Sequence, residues 1–494
     1  MFIRYFTAAL SAAIAILPSA ALDLQCTPGS LATSGADYSN ETELRISGTV
    51  DASDLFFIGD KMTGLKTLDL SQCKIAAYKG EPLKGQSEYP ASAIPFAAFA
   101  GSPITSVALP SAISVGDMAF ASSALTSLVV PEGTVALGQG AFSKCPNLKE
   151  VTLTPATSGG SVFKDCTALR SVNLQGVSAV ADGEFAGCAA LAEVNGSEAL
   201  VSIGNSAFED CRTLDSFSFG RPLKTVGDYA FARTALVMLN LESTSLSSLG
   251  DWAFAYNTAL VEATLPSSLP RIGKGVFFDC PALSQVNLPA ACAAIGDYAL
   301  KGASGLLQLA MPQGVESIGE LALKDASSLT DVKLPASVQY IGSGAMEGMT
   351  SLARIDATDL TSVPELGNDV WAGLDQADVL LSVGESTADD FKAAPQWQEF
   401  TLHSVPTSAV GPIVDDMADS SLSGYFDGRT LHLRAKGADV ASVALYNAAG
   451  ALLAYASPKA DMVEMDTSAF DDSLFIVRCV LDGGKITTLK LARR

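Results

Sequence analysis

Leu283-Ser284-Gln285-Val286-Asn287-Leu288-Pro289, followed by Ile295-Gly296-Asp297-Tyr298-Ala299-Leu300, is the stretch that decides the fold of this chain. Its first half alternates apolar and polar side chains and closes on proline, the pattern of a short strand with one buried face. Its second half ends on a large apolar anchor, Leu300, with Gly296 four residues ahead of it. Both halves recur along the sequence. The anchor returns at Phe99, Phe120, Phe142, Phe163, Phe185, Phe208, Phe231, Phe254, Phe277, Leu300, Leu323, Met346 and Trp371. Successive steps are 21, 22, 21 and 22 residues, then seven of 23, then one of 25. A glycine precedes the anchor by four residues in eleven of the thirteen units, and only Pro95 and Ala181 depart. A glycine so regularly placed marks either a positive φ or a place too tight for a side chain, and in both cases a corner.

A single unit of about 23 residues cannot bury its own apolar face, so neighbours must stack around one continuous core. The expected fold is a β-rich solenoid of about thirteen coils of 21–25 residues. Parallel strands about 4.8 Å apart would extend it over roughly 58 Å before curvature.

Units such as Leu283 to Leu300, and Ile203-Gly204-Asn205-Ser206-Ala207-Phe208-Glu209-Asp210-Cys211, resemble the BspA-type leucine-rich repeats of bacterial surface proteins. The resemblance spans residues 91–404 and implies a curved leucine-rich-repeat array. Ahead of it, Leu65-Lys66-Thr67-Leu68-Asp69-Leu70-Ser71-Gln72-Cys73-Lys74-Ile75 follows the more general leucine-rich pattern and places an N-terminal cap with one irregular repeat at 22–90. Residues 1–21 read as a secretory signal: Arg4, an apolar run from Tyr5 to Leu17, then small residues before the expected cleavage. After Trp371 the period fades into a capping coil around Phe391, Trp397 and Phe400. Residues 405–422, rich in proline, serine and aspartate, read as a linker. Residues 423–494 read as a small C-terminal β-sandwich, with strands around Leu431-His432-Leu433, Val443 to Tyr446, Leu452-Leu453 and Leu474 to Val477. The order of these segments, ending on Lys485 to Leu491, is similar to the sorting domains of type IX secretion cargo.

The 53 acidic and 31 basic residues give a net charge of −22, which repels polyanions and excludes nucleic acid as a partner. No stretch after the leader is apolar for long enough to span a membrane. Five of the nine cysteines, Cys145, Cys166, Cys188, Cys211 and Cys280, stand three residues after an anchor, where other units carry Ala303, Ala326 and Met349. That slot suits a buried thiol better than a disulfide; a bridge between Cys26 and Cys73 in the cap stays open. With only His403 and His432 in the chain, the solenoid has no histidine to activate a nucleophile. No cysteine spacing suits zinc, and no metal, cofactor or catalytic residue is expected. Gly342-Ser343-Gly344-Ala345-Met346-Glu347-Gly348 only approaches a dinucleotide loop, and its Met346 is an anchor. Asp415-Asp416 and Asp471-Asp472 read as solvated turn or linker residues.

The function of a solenoid lies on the surface its coils build together. Here the outward row of the strands is expected to carry Glu150, Thr152, Asn173, Glu193, Asn195, Ser218, Asn240, Glu262, Gln285, Asn287, Gln308, Asp331 and Arg354 as a candidate ligand surface. The row is polar and free of aromatic side chains, which argues against stacking on sugar rings and favours a protein ligand read by hydrogen bonds. The resemblance implies an adhesin-like protein, secreted or held at the outer cell surface, that binds host extracellular matrix or another microbial surface protein. A structural spacer of the cell surface is the alternative.

Overall fold

In a computed structural model, which describes residues 21–405, 422–427, 429–447, 452–470, 474–482 and 486–493, each repeat closes into one coil stacked on the next. The expected leader apart from Ala21, most of the linker, Asp415-Asp416 and Asp471-Asp472 lie outside these residues. Three-residue strands such as Glu150–Thr152, Ser171–Asn173 and Glu193–Asn195 pair in parallel, so that Val151, Val172 and Val194 point inward in register. Two-residue strands such as Ala294–Ile295, Ser317–Ile318 and Tyr340–Ile341 form a second parallel ladder. The side chains enclosed between the two ladders form one core that runs from Cys26 to Phe400.

The anchors fill that core. The nine phenylalanine anchors from Phe99 to Phe277 are buried and stack as one column, with neighbouring centroids 4.9 Å to 6.1 Å apart. Leu300, Leu323 and Met346 continue it without rings. Trp371 closes it against the edges of Trp397 and Phe400, each 5.1 Å away.

The corner glycines resolve in favour of tight packing. None of those four residues before an anchor has a positive φ; a Cβ on Gly250 would lie 2.4 Å from the backbone of Gly227 and Asp228 in the preceding coil. The left-handed residues are elsewhere. In every one of the thirteen units they stand two residues before and two after the anchor, as in Ser206 and Asp210 around Phe208 and in Tyr298 and Gly302 around Leu300. Aspartate is frequent at the second position, in keeping with its tolerance of this conformation.

The array has about 17 coils rather than thirteen. Three precede the first anchored unit: Leu22–Cys26, Glu43–Val50 and Thr67–Ile75 pair in parallel with one another and then with Ser106–Ala108. They lack the anchor spacing because a ten-residue helix, Ala52–Lys61, fills the core beneath them. Asp51 caps that helix and buried Asp54 completes a capping box. Asp54 also accepts the backbone N–H groups of Gly29 and Leu31, each at 2.8 Å, which fixes the entering loop. A further coil, with strand Thr401–Val405, follows the last anchored one. Cys26 and Cys73 are free and buried, with Gly48 standing between them in register. Two strand spacings, about 9.6 Å, exceed the reach of a disulfide.

The chain divides into two compact units, Met1–His403 and Ser404–Arg494. The second consists of two antiparallel sheets, one of Leu422–Asp427, Thr430–Ala435 and Met462–Asp466, the other of Leu452–Ala456, Val440–Asn447, Leu474–Leu481 and Ile486–Ala492. Leu431, Leu433 and Val463 from the first share a core with Val443, Leu445, Phe475 and Val477 from the second. His432 is half-buried, stacked on Tyr425 and paired with Glu464 at 3.1 Å.

Candidate functional site

The outward residues of the three-residue strands stand in two columns set by strand register. One runs through Glu150, Ser171 and Glu193, and after an interruption through Met238, Glu262 and Gln285. The other runs through Thr152, Asn173 and Asn195, and then through Asn240, Thr264 and Asn287. Gln308 joins by a single bridge to Gln285, and Asp331 pairs with Arg354 in a separate sheet. Of the thirteen expected residues, Thr152, Asn173 and Glu262 are half-buried and the others are exposed.

Several of these groups are engaged within the chain. Asn173 Oδ1 accepts from the Gln175 N–H at 3.0 Å, and Asn240 Oδ1 from the Glu242 N–H at 3.1 Å. These asparagines close the turn after their own strand. Arg354 Nε donates to Asp331 Oδ1 at 2.7 Å. Glu150, Glu193, Asn195, Gln285 and Asn287 keep their polar ends toward solvent.

The face is less polar than the sequence suggests. Val129 and Met238 occupy column positions and are 66% and 61% exposed. Val237, Val261 and Leu307, each one residue ahead of the row, are exposed as well. Between Glu193–Asn195 and Met238–Asn240 the sheet is interrupted: residues 216 to 218, Ser218 among them, form no strand. An open cavity of about 510 Å³ occupies this break, lined by Asp215, Phe217, Phe219, Val237, Met238 and Asn240 among others. Phe217 and Phe219 stand here where other coils bury aliphatic pairs such as Val172 and Leu174 or Leu239 and Leu241. Phe217 and Phe219 set their edges against the anchor Phe231 at 4.9 Å and 5.4 Å. The run Ser216-Phe217-Ser218-Phe219-Gly220 was the readable signal, two rings at the alternating positions that other coils fill with aliphatic pairs such as Val172 and Leu174.

The interior holds two further groups of chemical interest. The Sγ atoms of Cys166, Cys188, Cys211 and Cys280 donate to the anchor carbonyl of the preceding coil at 3.1 Å to 3.4 Å. Burial pushes the thiols of Cys188 and Cys280 up to about 12, which keeps them protonated and poor nucleophiles. Glu184 stands in the slot before an anchor that other coils fill with alanine or valine. It is buried, its Oε2 accepts from Ser158 Oγ at 2.7 Å, and burial raises its carboxyl to about 7. Among the described residues no group of acidic, histidine and cysteine side chains could hold a metal ion, and no helix is long and apolar enough to cross a membrane.

Stacked coils with their distinctive chemistry spread along a sheet face define a leucine-rich-repeat protein, a fold typical of non-catalytic scaffolds that generally bind other proteins. The chain belongs to the BspA-type leucine-rich-repeat family, whose model matches it in six copies over residues 92–214, 178–307 and 293–376. Similar solved structures include a leucine-rich repeat protein from Bacteroides ovatus, at 19% identity over 69% of this chain and 92% of that one, with a TM-score of 0.48. A leucine rich cell surface protein from Faecalibacterium prausnitzii is similar at 18% identity over 59% and 87%, with a TM-score of 0.31. The T. pallidum leucine-rich repeat protein matches at 21% identity over 48% and 82%, with a TM-score of 0.26. No curated protein shows a significant match.

Proposed function

We propose that the protein is secreted or held at the outer cell surface, and that it acts as an adhesin-like scaffold binding a protein ligand through the strand row. The ligand is a host extracellular matrix component or another microbial surface protein. The observation that supports this reading is the pair of in-register columns, in which Glu150, Glu193, Asn195, Gln285 and Asn287 are exposed polar residues. The leader of residues 1–21 directs export in this reading, and residues 423–494 act as a sorting module.

Full-length protein and a Glu193→Ala, Asn195→Ala, Asn287→Ala variant are to be compared on immobilised matrix proteins and on whole cells. Saturable binding that the variant loses is the expected result; no saturable binding to any surface would remove the adhesin reading. Deleting 423–494 and fractionating the producing cells tests the sorting role, with retention inside the envelope expected.

Three details favour a structural spacer for part of the row: Asn173 and Asn240 serve their own turns, and Arg354 is held by Asp331. Light scattering over a concentration series tests this alternative, which expects growth of the scattering mass.

A further inference from the structure

We propose that the break in the sheet at residues 215 to 219 receives a large apolar side chain of a partner polypeptide, flanked in that partner by lysine or arginine. The inference rests on the protein-binding reading above and narrows it to one place and one chemistry.

The break has a physical cause on each side. Behind it, the rings of Phe217 and Phe219 pack edge-on against Phe208, Phe231 and Phe254 and take more room than the aliphatic pair, such as Leu239 and Leu241, that other coils bury at these positions. Before it, Gly196 turns with φ 79° into the short helix Ser197–Ala199, and Ser197 Oγ donates to the Ser218 carbonyl at 2.9 Å. The chain at 216 to 218 is thereby drawn out of the ladder, and among the described residues no strand takes its backbone groups.

The resulting hollow has the size of a small ligand site, with an apolar floor. Phe217 and Phe219 form the floor, while Val237 and the 61% exposed Met238 flank it. Val261 extends the apolar surface into the next coil. Methionine and aromatic side chains at the centre of a polar surface are the composition of an interface core, and a thioether adapts its shape to what it meets.

Charge sets the flanks of the occupant. Asp215 is the one charged residue of the lining. Glu262 stands beside Met238 in register, and Glu193 lies in the coil before. With a net charge of −22 behind this rim, a cationic neighbour of the inserted side chain is favoured and an anionic one repelled.

Linear peptides selected from a random phage-displayed library on the full-length protein test the proposal. Enriched sequences are expected to place Phe, Leu, Met or Trp beside Lys or Arg. Their affinity should fall about tenfold or more on Met238→Asp and on Asp215→Lys, and stay unchanged on Arg271→Ala in the other ladder. Unchanged melting temperatures establish that the variants are folded. Peptides that bind Met238→Asp as tightly as the parent, or that carry acidic flanks, would overturn the proposal. If binding falls instead on Gln285→Ala and Asn287→Ala alone, the row binds ligand and the break does not. No enriched peptide together with no binding to matrix proteins or cells overturns both readings.

Discussion

The coil carrying Gln285–Asn287 and the coil carrying residues 215 to 219 share an interior, yet one joins the sheet and the other leaves it. Each follows a buried phenylalanine, Phe277 or Phe208. Each has a cysteine three residues on, Cys280 or Cys211, that donates to the preceding anchor's carbonyl at 3.4 Å or 3.3 Å. Each then buries a leucine, Leu283 or Leu214. Only the strand slot differs. The comparison teaches that the inward positions hold a coil in the stack, while the strand ladder is dispensable in a single coil and leaves that coil's outer surface free to change.

The strongest challenge to this view is Phe208→Ala, inside the coil that has already lost its strand. Removing a ring stacked between Phe185 and Phe231 should cost about 3 to 5 kcal/mol, read by thermal or denaturant unfolding. A parent-like melt would mean that the anchors do not hold the stack. Next comes Glu184, an ionisable group in the same interior. Its carboxyl rises from 4.5 unfolded to about 7 folded, so the folded state binds the extra proton between these values and loses stability as pH rises through them. Glu184→Gln keeps an acceptor for Ser158 without the charge. Relative to that variant, the parent should lose about 3 kcal/mol between pH 4.5 and 7.5; parallel pH profiles would contradict the assignment.

Gly204→Ala probes the corner that leads into the interrupted coil. Its Cβ would lie 2.6 Å from the Asp182 backbone nitrogen, and a loss of about 1 to 3 kcal/mol is expected in urea unfolding. Met238→Asp and Asp215→Lys complete the comparison on the outer surface. Their unfolding free energies should stay within about 0.5 kcal/mol of the parent. A larger loss would show that the break is part of the packing.

The anchors made the solenoid legible because every coil must repeat the same interior to stack. Of the three coils before Ser106–Ala108 only that of Thr67–Ile75 was legible, as an irregular repeat, since the helix Ala52–Lys61 replaces the anchor there and leaves no regular period. The tight corner glycines were visible, but the two left-handed positions were not, because residues as different as Trp252, Leu321 and Asp210 occupy them. The outward columns were predictable from alternation alone. What Asn173 and Asn240 do with their side chains was not, since an asparagine that closes its own turn reads like one that faces a ligand. Met238 lay in the same column and was passed over because the row was read for polar groups.

The phenylalanine column gives the array a direction. Rings run unbroken from Phe99 to Phe277 and then yield to Leu300, Leu323 and Met346. In a stack where each coil touches only its neighbours, unravelling from an end proceeds one coil at a time. A front entering from the C-terminal side must first open the aromatic cluster of Trp371, Trp397 and Phe400, then crosses the three aliphatic anchors before it reaches the stacked rings at Phe277, a zipper with one latch at its end and a second two-thirds of the way along its anchors.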